Sequence, residues 1–273
     1  MAYTFGATVT RAPRGNPSAA VIFLHGLGDT GNGWAPVVDS GALKVKDYAK
    51  FVFPTAPTQA VKLNGGAMMP AWFDLPGNLA EMLTNIDWKG VNASIGYLHS
   101  LIDTEISNGI PSDRIVVGGF SQGGCIAMRA ALKYPKPLGG LCLASTFLGP
   151  DQQVEIADCN SKIPTLWCHG EADPMVPLLF AQMGVSALQS KGIPLELKTY
   201  PGLGHSASPE ELAKMDEFLT TRLPQAPATP PPTSEEVSKM SVKELKTYLG
   251  SKNINFAGCF EKTDLVSLAL SSL

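Results

Sequence analysis

The residues best suited to chemistry lie in Gly119-Phe120-Ser121-Gln122-Gly123-Gly124. A β-branched run, Arg114 to Gly118, precedes them, and a run of good helix formers, Cys125 to Leu132, follows. A Gly-x-Ser-x-Gly pattern between a strand and a helix sets its serine on a tight, strained turn that pushes the hydroxyl out of the sheet. A side chain two residues away on either side would collide with the turn. The helix after it aims its first amides at the point where a negative oxygen develops during acyl transfer. Ser121 is therefore a candidate nucleophile. The bare pattern also occurs as an ordinary turn, and the flanking strand and helix select the chemical reading.

A serine hydroxyl needs a base to take its proton. The chain has four histidines, at positions 25, 99, 169 and 205. In this kind of enzyme the order along the chain is nucleophile, acid, histidine. His205 fits that order, in the glycine-rich stretch Gly202-Leu203-Gly204-His205-Ser206 just before the last helix of the main domain. The acid that orients such an imidazole belongs on a loop after the penultimate strand. Asp173 stands there in Gly170-Glu171-Ala172-Asp173-Pro174, and Glu171 is its competitor. The Asp-Pro step favours Asp173, because it breaks the chain locally and turns the carboxylate back. His169 reads as a structural residue fixing that loop, and His99 as a partly solvated helix residue.

Two further segments complete the candidate site. His25-Gly26-Leu27-Gly28-Asp29 follows the first core strand, where small residues let the Leu27 amide approach a substrate oxygen. The Gln122 amide, next to the nucleophile, would be the second donor of an oxyanion hole. The stretch from Leu63 to Leu75 is apolar but rich in turn residues. Met68, Met69, Trp72, Phe73 and Leu75 could line an acyl-chain groove, or the stretch could be a loop packed on the core.

Elements that can position these residues are visible as short apolar runs. Ala20 to Leu24, Phe51 to Phe53, Arg114 to Gly118, Gly140 to Ala144 and Thr165 to Cys168 are nearly continuous apolar strands, and Leu195 to Tyr200 alternates. Continuous apolar strands separated by helices imply a mostly parallel sheet covered on both faces, an α/β fold. Tyr3 to Thr10 suits an antiparallel edge. Helices are expected over Ile95 to Ser107, from an apolar stripe, and from Ser208 to about Leu223, from an N-cap, a first-turn proline and two acidic residues. Pro224 to Thr233 carries five prolines and no charge, as a semi-rigid linker would. Two short helices are expected beyond it, Glu235 to Ser251 and Glu261 to Leu273. The domain reading is thus 1–223 catalytic, 224–233 linker and 234–273 appendage.

The chain has 273 residues, 21 basic and 24 acidic, a formal net charge of −3. That balance gives no footprint for nucleic acid. The five cysteines form no CxxC pair and no metal-like spacing, and acyl transfer by a serine with its base requires no metal or organic cofactor. Their odd number, with no secretion signal visible at the N-terminus and no apolar run long enough to cross a bilayer, points to free thiols and a cytoplasmic location.

Taken together, His25-Gly26-Leu27-Gly28-Asp29-Thr30, Pro70-Ala71-Trp72-Phe73-Asp74, the Ser121 motif, His169-Gly170 with Asp173-Pro174 and Val176-Pro177, and Gly204-His205 resemble the acyl-protein thioesterase/lysophospholipase (carboxylesterase) family of α/β-hydrolases. The resemblance spans about residues 3 to 222. It implies a Ser121–His205–Asp173 triad, oxyanion amides from Leu27 and Gln122, and hydrolysis of S-palmitoyl thioesters on protein cysteines. Lysophospholipids and small carboxylic esters are further substrates implied, so a general carboxylesterase or lysophospholipase is the alternative. The N-terminal segment lacks the cysteine that some members acylate, which leaves any membrane-surface contact transient. Glu244 to Leu249 and Gly258 to Val266 resemble a SAP-type helix–turn–helix module. Such modules often bind DNA, but residues 234–273 hold five lysines and five acidic residues, which favours a protein partner over phosphate. A scaffold acting through this hairpin alone is the reading from another class.

Overall fold

The computed structural model describes residues 3–77, 86–149, 154–225, 232–252, 254–259 and 261–273. Seven strands form one sheet in the order β1(Gly6–Arg11), β3(Ala49–Thr55), β2(Ala19–Leu24), β6(Ile115–Phe120), β7(Gly140–Ala144), β8(Thr165–Gly170), β9(Leu195–Tyr200). Only β1 runs antiparallel to its neighbour; the other pairings are parallel. The central strands β2, β7 and β8 are buried at every residue, and β9 alternates, as a fully covered interior and a half-covered edge require.

Side chains of successive strand residues point to opposite faces, so the sheet divides its apolar residues between two cores. Ala20, Ile22 and Leu24 pack with helices α2(Trp88–Ser107), α3(Gln122–Lys133) and α4(Leu178–Ser190). Ala19, Val21 and Phe23 pack with α1(Gly31–Asp39) and α5(Pro209–Arg222). This is the α/β-hydrolase layering.

Three elements differ from expectation. Helix α2 begins at Trp88, not Ile95, because Asp87 caps it by accepting the Gly90 N–H at 2.9 Å. Gly90 and Asn92 are weak helix formers and hid those turns. The segment from Thr58 to Pro70 contains a two-stranded hairpin, β4(Thr58–Val61) with β5(Ala67–Pro70). Past the linker, whose residues 226–231 lie outside the described residues, Glu235 to Ser251 is two helices. These are α6(Ser234–Lys239) and α7(Val242–Ser251), split where Met240 turns to ψ 143°. Each opens on its own capping box, Thr233 with Glu236 and Ser241 with Glu244, a signal present in the sequence. Helix α8(Lys262–Leu270) closes over them, and Val237, Leu245, Leu249, Leu265 and Ala269 form a third core. No described helix is long and apolar enough to cross a membrane.

Candidate active site

Strand β6 ends at Phe120 and helix α3 starts at Gln122, leaving Ser121 alone on the turn at φ 53° and ψ −124°. That conformation is costly for a residue with a side chain and persists only where its surroundings enforce it. The enforcement is steric and local. A Cβ at Gly119 would sit 2.6 Å from the Gly123 carbonyl carbon, and one at Gly123 would strike the carbonyl oxygens of Leu24 and His25. The two glycines of the motif are thus required by backbone crossing backbone.

His205 lies on the loop after β9, with its Nε2 3.0 Å from Ser121 Oγ and its Nδ1 2.7 Å from Asp173 Oδ2. The carboxylate can only accept, so Nδ1 carries the proton and Nε2 presents its lone pair to the serine hydroxyl. The Asp173 side chain is fully buried. Its other oxygen accepts the backbone N–H groups of Met175 and Val176, both at 2.9 Å, which fix the carboxylate on its loop. Gly170 lets this loop approach the His205 loop, since a Cβ there would run into the Leu203 carbonyl. Glu171 instead accepts a hydrogen bond from Thr199, away from the imidazole. His169 donates from Nε2 to the Val176 carbonyl at 2.8 Å, and burial lowers its pKa. His99 hydrogen-bonds the Ala130 carbonyl, between α2 and α3.

The loop after β2 is held from two sides, and one of its braces is held in turn by Gln122. His25 Nε2 accepts the Ala56 N–H at 3.0 Å, so its Nδ1 donates to the Gly26 carbonyl, and burial lowers its pKa and keeps it neutral. The Trp72 indole N–H donates to the His25 carbonyl at 2.8 Å. The Gln122 side chain accepts from Trp72 N at 2.9 Å and donates to the Phe73 carbonyl at 2.8 Å. Leu27, Ser121 and Gln122 all line one cavity. Gln122 opens α3, so its N–H has no partner within the helix.

That cavity is about 710 Å³, in the range that holds a ligand of drug or lipid-chain size. Its walls separate the expected acyl-groove residues. Met69 and Leu75 line it. Trp72 and Phe73 do not: they are 0% and 2% exposed in the core, where the indole braces the His25 loop, so their expected place in the groove is corrected. Met68 is corrected too, being 66% exposed on the hairpin and outside the lining. The lining also includes Val176, quoted above only for the family resemblance, and residues that the sequence reading passed over: Phe147 and Leu148 after β7, and Phe180, Met183 and Gly184 in α4. Among the described residues, no group of His, Cys, Asp and Glu side chains is arranged to hold a metal ion.

Residues 6–223 match the family described as phospholipase/carboxylesterase. The chain belongs to that family. Within it, the chain is 42% identical over 218 residues to acyl-protein thioesterase 1 of Gibberella zeae, covering 76% of this chain and 92% of that protein. It is 40% identical over 216 residues to acyl-protein thioesterase 1 of Neurospora crassa, with 76% and 88% covered. Among solved structures of the family's fold, Arabidopsis thaliana SOBER1 superposes with a TM-score of 0.70 at 33% identity, over 75% of this chain and 99% of that one. Zea mays acyl-protein thioesterase 2 gives 0.69 at 32%, over 80% and 99%. Residues 232–269 match a second family, described as an E3 ubiquitin-protein ligase rififylin-like domain. That match covers the segment for which a SAP-type module is expected, and it neither names nor contradicts one.

Proposed function

We propose that this phospholipase/carboxylesterase family member is a serine hydrolase that removes long acyl groups from protein cysteine thioesters. The observation that carries the reading is the hydrogen-bonded series Ser121–His205–Asp173 at a largely apolar cavity of about 710 Å³. In this scheme His205 takes the proton of Ser121 as Oγ attacks the acyl carbonyl. The Leu27 and Gln122 amides hold the oxyanion, and Asp173 stabilises the imidazolium. His205 then protonates the departing thiolate, and water repeats the attack on the acyl-enzyme.

The cavity's chemistry supports a neutral chain rather than a phosphate head group. Asp29 and His205 are the ionisable residues among its described lining, and no lysine or arginine joins them. Lysophospholipids therefore rank below acyl-cysteine as substrates. Leu63, Met175 and Met183 line the cavity and are also exposed, an apolar rim suited to brief contact with a membrane surface where acylated proteins reside. All five cysteines are free, in keeping with a cytoplasmic setting. For residues 234–273 the charge balance supports recruitment of a protein partner.

The test compares wild type with Ser121→Ala on a long-chain acyl-cysteine peptide and on a short-chain ester. The expectation is a higher kcat/KM on the thioester and a loss of at least about 1,000-fold in Ser121→Ala on both. Equal rates in the variant would end the triad scheme, and a preference for the short ester would make the protein a general carboxylesterase.

A further inference from the structure

The turn after β7 touches the back of the nucleophile turn. Ser121 N donates to the Ala144 carbonyl at 3.0 Å, and the Thr146 hydroxyl donates to the Ser121 carbonyl at 2.6 Å. That carbonyl also accepts the Gly124 N–H at 3.0 Å and the Cys125 N–H at 3.3 Å, so three donors converge on one oxygen. Thr146 is fully buried, and Gly124 has no side chain where one would meet Thr146, its Cβ falling 2.7 Å from both the threonine Cβ and Oγ1. The approach is prepared on the other side as well. Ser145 holds φ 44°, a second non-glycine residue in the left-handed region, with its N–H on the Cys168 carbonyl at 2.9 Å.

The Ser121 carbonyl and the Gln122 N–H belong to one planar trans peptide and point in opposite directions. Fixing one end of that plane aims the other. We propose that Thr146 is a positioning residue for acyl transfer. Its hydroxyl locks the Ser121–Gln122 peptide so that the Gln122 N–H points at the developing oxyanion, and it polarises that peptide as a better donor. The inference rests on the proposed role of the Gln122 amide. It assigns to Thr146 no contact with substrate.

Thr146→Val keeps the shape and removes the donor, Thr146→Ser keeps the donor, and Thr146→Cys matches serine in size but donates weakly. Each is assayed for kcat and KM on the acyl-cysteine peptide. Each is also assayed for binding of an alkylboronic acid, whose adduct with Ser121 places an oxygen in the oxyanion position, and of the fatty alcohol of equal length, which occupies only the cavity. The expectation for Thr146→Val is a kcat and a boronic-acid affinity each lowered about tenfold, less than the hundredfold or more of a deleted oxyanion donor, with KM and alcohol affinity held within about twofold. Thr146→Ser restores both, and Thr146→Cys falls between. Wild-type values in Thr146→Val, equal losses for boronic acid and alcohol, or a Thr146→Ser protein as impaired as Thr146→Val would overturn the inference. If Thr146→Val does not fold, the ranking of Ser above Cys carries the decision. Inactivity of wild type on the thioester, or full activity of Ser121→Ala, would instead overturn the proposed function.

Discussion

A methyl group added at Gly123 would overlap two backbone carbonyls of the β2 turn, which nothing short of moving the strand can relieve. Gly123→Ala is expected to cost about 1–3 kcal/mol in urea unfolding and to abolish turnover, because Ser121 and the His25–Asp29 loop would shift apart. Trp72 offers a contrasting prediction. Trp72→Phe leaves the His25 carbonyl without its indole donor, which should lower stability by about 1–3 kcal/mol without altering acyl-chain preference. Leu75→Ala enlarges the cavity and should move the preference toward longer or branched chains, read from kcat/KM across an ester series. The Ser121, Asp173 and His205 positions were legible in the sequence because each lies in a loop whose glycines and proline state its local geometry. Trp72 and Phe73 were not, since an aromatic loop residue reads the same whether it faces a cavity or the core. Phe180 and Met183 were hidden by helix α4, whose apolar periodicity does not say which flank meets an open space.

At the scale of elements, helix α5 carries the clearest titration. Its Ser208 cap, first-turn Pro209 and acidic start were readable, but the depth of Glu211 was not, because an acidic residue in the first turn is usually solvated. Glu211 is buried, and burial pushes its carboxyl up to about 7 against a weaker opposing pull from the Ser208 backbone. A carboxyl raised in the folded state is protonated in both states below its ordinary range near 4.5, where it carries no penalty. As pH rises toward 7 the unfolded chain ionises first, so stability falls through that window, by at most about 3 kcal/mol. Glu211→Gln should therefore melt near wild type at pH 4.5 and higher than wild type at pH 8. A melting difference that grew toward acid would refute the assignment. Helix α5 follows directly on the His205 loop, so thermal inactivation should show the same pH trend. The split between α6 and α7 shows the opposite kind of miss: the Ser241-to-Glu244 capping signal was present and was overridden by an apparently continuous helical run.

For the whole molecule, the three cores suggest a division of labour. We propose that residues 1–223 fold as the catalytic unit and that residues 234–273 fold around their own small core. Leu223 is buried in the main domain and the Pro224 carbonyl accepts from Arg114, so a chain ending at Gln225 retains those contacts. Such a truncation should keep kcat on a short-chain ester within about twofold of the full chain, measured with quantified enzyme. The overall α/β layering was legible because continuous apolar strands leave few alternatives. The hairpin's helix count was less so, since short helices depend on caps more than on periodicity.

The Gln122 side chain, spanning from the nucleophile turn to the backbone of Trp72 and Phe73, has a consequence for engineering by recombination. The segment around residues 70–73 of a relative cannot be transplanted as an independent cassette. Residues 70–73, the His25 loop and position 122 form one inheritable block, and a chimaera that cuts between them would place a foreign segment on an amide clamp not matched to it. Crossovers that keep the three together should yield stable, active hybrids, whereas those that separate them should lose stability and turnover.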